Sequence, residues 1–432
     1  LSAKASRTLS EKEGPARTAL QQEQQVILRE LDLAEAEIRR GSPAYAALNR
    51  PEPLRVSEVQ ALLDADTVLL VYSLGEARSF LWKVTPGSIE SHELPGRAAI
   101  EEAARRVHEG LSGFDVEDRA RESGEAAELA KLLLGPVAAR LEGKRLAVIA
   151  DGALHYVPFG ALPVSGSNDS DAAPVPLLER HEVVYLPSAS ALAAQRKRLS
   201  EPSAESGWIT VLADPVFDAA DTRVTKKASP AALPASRGEA FERLPASRSE
   251  AEAIAALAPP GRAAVALDFE ASRSRVLGER LSGYRVIHFA THGVLDAERP
   301  ALSGLALSMV GPDGSAQEGF LHLRDVYGLR LDADLVVLSG CRTALGRELR
   351  GEGLVGLTRG FLYAGAPRVV ASLWKVEDRA TSELMTRFYR ALWEEGLAPA
   401  AALRSAQLSL RRERRWRDPY FWAGFVLQGA WN

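Results

Sequence analysis

A chain of 432 residues is longer than one hydrophobic core usually organises, and 46% apolar with 25% charged residues is the composition of a soluble protein built from more than one unit. Its 53 basic and 57 acidic side chains give a formal charge of −4, which supplies no electrostatic reason for a nucleic-acid partner. The single cysteine excludes an internal disulfide, and no apolar run reaches the ~18 residues of a membrane helix, so a cytoplasmic protein without a membrane contact is expected.

The opening LSAKASRTLSEKEG has neither an initiator Met nor a signal-peptide pattern, which suggests a chain cut from a longer one. From about 15 to 40, Ile27, Leu31, Ala34 and Ile38 recur at helical spacing and predict a helix with one face to bury. Gly41, Ser42, Pro43 and the PEP at 51–53 end it, and a short helix at 56–63 opens the globular part. TVLLVYSL (67–74) and ARSFLWKV (77–84) flank Gly-Glu and predict a hairpin, followed by helices at about 97–112 and 124–142. The strand RLAVIAD (145–151) runs into GALHYVPFGALP, a polar exposed stretch (165–174) and the strand HEVVYLPS (181–188).

WITVLADP (208–215) begins a second half, and an Ala, Pro, Ser, Lys and Arg-rich insert at about 216–245 is expected to be disordered. The strands RAAVALDF, RVIHFATHG, LVVLSG, RVVASLW and WAGFVLQG follow, with helices expected near 271–282, 352–364, 378–394 and 397–413. Apolar strands alternating with helices predict an α/β fold with a mostly parallel sheet covered on both faces.

In such a sheet the loops leaving the carboxyl ends of strands gather along one edge, where chemistry collects. VIHFA runs into Thr291, His292 and Gly293, and LVVLS runs into Gly340, Cys341 and Arg342; His292 and Cys341 are 49 residues apart, near the ~50 of the caspase pattern. A cysteine there, with an imidazole to take its proton, can carry out acyl transfer. The N–H groups of Gly293 and Cys341 can receive the oxyanion, and Gly293 admits a close backbone approach. The other reading of Cys341 is a small buried hydrophobe. No third side chain is evident, and His288, inside its strand, reads as a packed core imidazole.

The blocks VIHFATHG, LSGCRTALG, GEGLVGLTRGFLYAGAPRVVASLWKVEDRATSELMTRFYRAL and DPYFWAGFVLQG resemble the CHAT family of caspase-like, separase-related cysteine peptidases, often joined to tetratricopeptide repeats. SPAYAALNRPEPLRVSEVQALL, TVLLVYSLGEARSFLWKV and DGALHYVPFGALP extend the resemblance upstream, to about residue 42. It implies a pseudo-caspase lobe at 54–200, a peptidase lobe at 201–432 and, at 1–53, a helical segment that ends a repeat array or packs on the chain's own lobe. It implies His292 and Cys341 as the catalytic dyad and an oxyanion hole from the backbone of Gly293 and Cys341; with no H-E-x-x-H, C-x-x-C or G-K-[ST] in the sequence, no metal or cofactor is expected. Trp374 would line the substrate cleft, or belong to the core. Asp378 would hold a basic residue before the scissile bond, or cap the helix that follows. Ser339 stands where metacaspase-like relatives have Asp, leaving the pocket's preference open. Family members act in bacterial antiviral defence and cell death, on a protein partner such as a gasdermin or a regulator, some after an activating protein or ligand binds. The alternative is a catalytically silent scaffold or ligand-sensing module.

Other motifs fail on context. GEGLVG (351–356) spells a dinucleotide fingerprint but follows RELR and not a strand, and suits a loop entering a packed helix. RRERRWR (411–417) is interrupted by Glu413 and fits a helix C-terminus. Lys226, Lys227 and Arg237 mark the insert either as an autoprocessing site or as a solvated loop.

Overall fold

The computed structural model describes residues 53–431 apart from 114–118, 142, 165–174, 201–206, 226–240, 279–280, 295–302, 341–345 and 350–352. The helix expected at 15–40, the polar stretch 165–174 and Cys341 lie outside the described residues.

Helix α1 (Val56–Ala61) leads into the antiparallel strands β1 (Thr67–Ser73), β2 (Arg78–Thr85) and β3 (Ser88–Pro95). Helices α2 (Arg97–Ser112) and α3 (Arg119–Leu134) precede β4 (Arg145–Ile149), the two-residue strands β5 (Pro163–Val164) and β6 (Val175–Pro176), then β7 (Val183–Tyr185) and α4 (Ala189–Leu199). The second half runs β8 (Gly207–Pro215), α5 (Pro245–Leu257), β9 (Ala263–Asp268), α6 (Arg273–Gly278) and β10 (Tyr284–Ala290). A small sheet of β11 (Gly293–Val294), β12 (Gly304–Ala306) and β13 (Phe320–His322) comes next, then α7 (Leu323–Gly328), β14 (Leu335–Leu338) and the hairpin β15 (Gly346–Leu349) with β16 (Gly353–Gly356). The chain closes with α8 (Leu357–Tyr363), β17 (Arg368–Ser372), α9 (Asp378–Trp393), α10 (Pro399–Arg412), α11 (Pro419–Trp422) and β18 (Phe425–Gly429).

One sheet of 11 strands, ordered β3-β2-β1-β4-β7-β18-β17-β14-β10-β8-β9, runs through both halves. Among its neighbours only β1–β2, β2–β3 and β17–β18 are antiparallel. This is the mostly parallel α/β sheet expected from the apolar runs. Every residue of β14 and β17 is buried, as strands covered on both faces must be, whereas edge strand β3 alternates exposed polar residues that discourage further pairing. The last strand in the chain, β18, is central in space: it pairs β17 on one side and reaches β7 through Gln428 opposite Tyr185. The fully buried Trp422 and Trp431 flank it. No helix among the described residues is long and apolar enough to cross a membrane.

Three of the elements that differ from expectation do so for local reasons. Strand β3, SIESHELP, lacks an apolar stripe and forms because β2 offers it a ladder. Helix α3 stops at Leu134, where a side chain on Gly135 would meet the Lys131 carbonyl at 2.3 Å and Pro136 cannot continue the helical bonds. The helix expected from 352 starts at Leu357, since Gly353–Gly356 pairs with Gly346–Leu349 as a hairpin, which also retires the dinucleotide reading.

At the end of β4, in the turn Gly152–Tyr156, the Nε2 of His155 is buried with no hydrogen-bond partner among the described residues, and burial pushes this imidazole down to about 4, opposed by Asp151 and helped by Arg359. Because the folded value lies below the unfolded one, the unfolded chain binds the extra proton, and stability is lost as pH falls from about 6.5 towards 4. Replacing His155 by Leu is expected to flatten this acid loss by about 2 kcal/mol between pH 7 and 4.5, read from urea unfolding at the two pH values.

Candidate functional site

Strands β10 and β14 are parallel neighbours, with Val286 opposite Leu335 and Phe289 opposite Leu338. Their exits, Thr291-His292-Gly293 and Ser339-Gly340, therefore leave the same edge side by side. The contact is backbone on backbone: a Cβ on Gly340 would lie 2.0 Å from the Thr291 carbonyl oxygen and 3.0 Å from the Gly293 nitrogen, so only glycine fits. The buried Ser372, at the end of neighbouring β17, holds its hydroxyl 2.8 Å from the Gly340 carbonyl oxygen and 2.9 Å from that of Trp374. Gly340 is thus fixed from both sides, one residue before Cys341, which itself lies outside the described residues.

His292 is held in an aromatic cradle. Phe217 and Phe241 place their ring centroids 5.3 and 5.4 Å from the imidazole, and Nε2 lies 2.6 Å from the Glu242 carbonyl oxygen. A carbonyl only accepts, so Nε2 carries the proton and Nδ1 of the neutral ring keeps its lone pair. Burial pushes the His292 imidazole down; the carbonyl of Glu242 opposes that and the charge of Lys375 adds to it. The resulting neutral ring is the form that can take a proton. Beyond it, the Ala306 N–H donates to the His292 carbonyl at 2.9 Å, which makes Gly293 and Leu305 a non-hydrogen-bonded pair of the ladder. The alternation turns the Gly293 N–H away from β12.

Beneath this edge lies a polar group in the core. His288, with no exposure, sets Nε2 2.7 Å from a Glu250 carboxylate oxygen on α5 and Nδ1 3.0 Å from the Tyr389 hydroxyl on α9. Burial, then the Glu250 charge, holds the Tyr389 hydroxyl well above its ordinary range, so it keeps its proton. The core reading of His288 is right, but its partners make it part of a network that also reaches Ser339, whose hydroxyl lies 3.2 Å from Nε2.

Of the residues assigned to substrate, Ser339 thus points its hydroxyl at His288. Trp374 is 2% exposed, donates its Nε1–H to the Tyr420 carbonyl at 3.0 Å and presses on Gly424, the arrangement of a core side chain. Glu377, not Asp378, caps α9 through the Ala380 N–H. Asp378 instead reaches across to the start of α5, accepting from the Ala246 N–H at 2.8 Å, and burial raises its carboxyl, with Glu250, Glu377 and Asp214 adding to the rise.

Sequence reasoning missed Glu242, Phe217, Phe241 and Ser372. The first three fall within the stretch at 216–245 read as a disordered insert; residues 226–240 lie outside the described residues, but both flanks pack on His292. The aromatic pair inside an otherwise Ala- and Pro-rich stretch was the available signal. A backbone carbonyl leaves none.

Residues 124–430 match the family described as the CHAT domain. Tetratricopeptide repeat protein 28 of Mus musculus is 27% identical over 323 residues, which is 66% of this chain and 12% of that protein. The Homo sapiens protein of the same name is 27% identical over 324 residues, again 66% of this chain and 12% of its own. This chain therefore spans 12% of the length of these curated relatives. Among solved structures, the Saccharomyces cerevisiae separase–securin complex matches with a TM-score of 0.54 at 10% identity, covering 89% of this chain and 30% of that one. At that identity the likeness is one of fold: a caspase-like sheet of the separase type.

If Gly340 is the residue that lets the two strand ends meet, Gly340→Ala is expected to destabilise by about 1–3 kcal/mol, as overpacking against fixed backbone does. Ser372→Ala should cost about 1 kcal/mol for the lost hydrogen bond. Denaturant unfolding of both variants checks the order; a Gly340→Ala protein as stable as the native one contradicts the packing argument.

Proposed function

The chain belongs to the CHAT domain family, and on that premise we propose that it is a caspase-like cysteine endopeptidase that cuts a protein partner by acyl transfer from Cys341, with His292 as the base. The observation that carries the reading is the state of His292: a neutral ring, packed against a pair of phenylalanines with Nε2 engaged, at a strand exit packed against the residue that precedes the only cysteine.

In this reading Nδ1 takes the Cys341 thiol proton, and the thiolate attacks the scissile carbonyl carbon. The oxyanion that forms is met by the N–H groups of Gly293 and Cys341. As the C–N bond breaks, the imidazolium gives its Nδ1 proton to the leaving amine; water, deprotonated by the same nitrogen, then hydrolyses the thioester. The Glu242 carbonyl performs the orienting task of a third catalytic member, stabilising the imidazolium without a side chain of its own.

Residues 54–200 act as the supporting pseudo-caspase lobe and 201–432 as the peptidase lobe. An activating protein or ligand switches the chain on. The substrate is a protein, with a gasdermin-like pore former or a regulator in a bacterial defence or cell-death pathway as the family-level candidates, and the setting is cytoplasmic. A pocket for a basic residue would need Asp378 to leave the α5 N-terminus, which favours a neutral or apolar residue before the scissile bond.

The test is the reactivity of Cys341. Iodoacetamide and a peptidyl electrophile should alkylate it faster than a free thiol, and His292→Ala should slow labelling about 10- to 100-fold by mass spectrometry. Labelling at the free-thiol rate, unchanged in His292→Ala, would leave the scaffold reading. Cleavage profiling on a peptide library, with Cys341→Ala as the blank, should return neutral or apolar residues at the cut, unaltered by Asp378→Asn.

A further inference from the structure

Asp214, next to last in β8, has no exposed surface and its backbone is at φ 46°, the left-handed region that a non-glycine residue keeps only when its surroundings enforce it. Ser247 Oγ, on the first turn of α5, accepts its N–H at 3.0 Å. Its carboxylate meets three guanidinium groups. Arg243 binds it as a fork, Nε to Oδ1 at 2.9 Å and Nη2 to Oδ2 at 2.7 Å; Arg248 Nε adds a bond at 2.9 Å and Arg223 Nη1 lies at 3.1 Å. Asp268 and Asp221 balance the excess charge: Arg223 reaches each of them at 2.7 Å, and Arg248 pairs with Asp268. Asp268 also has positive φ, at 53°, so the ends of both β8 and β9 are bent into this cluster.

The cluster bears on His292 through one peptide bond. The carbonyl of Glu242 and the N–H of Arg243 belong to a single planar unit, so whatever fixes Arg243 fixes the direction of that carbonyl. A two-bond fork onto a fully buried carboxylate fixes it far better than an exposed ion pair does. The preceding residue, Phe241, is one wall of the His292 cradle.

We propose that Asp214 and Arg243 are positioning residues for the catalytic histidine: their ion pair aims the Glu242 carbonyl at Nε2, which holds His292 in the Nε2–H tautomer and leaves Nδ1 as the base. The inference rests on the reading of His292 as base, and its test separates the two. The full chain, labelled with 15N-histidine, is compared with Arg243→Ala and Arg243→Lys by NMR for the His292 tautomer, and by iodoacetamide for the alkylation rate of Cys341. Arg243 is the residue to change, because it is 41% exposed at its side chain, whereas Asp214→Asn would leave three arginines around a neutral amide and endanger folding.

Native protein should show the Nε2–H tautomer. Arg243→Ala should mix the two tautomers and slow alkylation roughly 10- to 100-fold, the scale of a small misplacement of a catalytic group. Arg243→Lys, which keeps the charge but not the fork, should fall between them. An Arg243→Ala protein that keeps the pure tautomer and the native rate overturns the proposal, even if it melts earlier, since a purely structural arginine would move stability alone. A tautomer that mixes in Arg243→Ala, in a protein whose Cys341 reacts no faster than a free thiol, upholds the positioning and rejects the peptidase reading.

Discussion

The missing side chain at Gly340 is what allows the exits of β14 and β10 to touch. Parallel strands leave at one edge by topology, but topology alone leaves their loops several ångströms apart. Here the Gly340 Cα lies against the Thr291 carbonyl and the Gly293 nitrogen, with a methyl group's worth of space removed. Ser372 fixes the Gly340 carbonyl from the opposite side. The residues on either side of His292 and the residue before Cys341 are thereby parts of one rigid junction, built from three adjacent strands, β14 and β17 buried along their length and β10 buried from Val286 to its end.

Charge handling around that junction follows from where it sits. A sheet edge reached by buried strands brings polar groups into low dielectric, and each has to be matched. Two solutions occur within a few residues of each other. Asp214 takes arginines from three points in the sequence, while His288 takes a carboxylate and a tyrosine hydroxyl and extends to Ser339. Both involve α5: Ser247, Arg248 and Glu250 belong to its first two turns, and Asp378 caps its start from α9. Helix α5 is therefore the element through which the site, its histidine cradle and its supporting network are tied together.

Much of this was legible in the residue order. The apolar runs of β10, β14 and β17 announce buried parallel strands, and the glycines after two of them mark where backbone must come close. Ser339, Trp374 and Asp378 were harder, because a motif fixes a position along the chain and not the neighbour a side chain chooses. Ser339 faces a histidine 51 residues away, and Asp378 faces an amide 132 residues away. The flanks of the 216–245 stretch were misread because composition describes the whole segment, whereas the cradle depends on Phe217, Phe241 and one carbonyl. Strand β3 and hairpin β15–β16 carry so little apolar pattern that only their pairing partners define them.

The central claim is that this junction presents a cysteine and a neutral imidazole to one acyl group. A crystal structure of the chain after reaction with a peptidyl acyloxymethyl ketone addresses it directly. The account predicts a bond from Cys341 Sγ to the inhibitor, its carbonyl oxygen within hydrogen-bond distance of the Gly293 N–H, and His292 still against Phe217 and Phe241 with Nε2 on the Glu242 carbonyl. An unmodified Cys341, or an adduct whose oxygen lies on another face of the sheet with His292 out of reach, would contradict it.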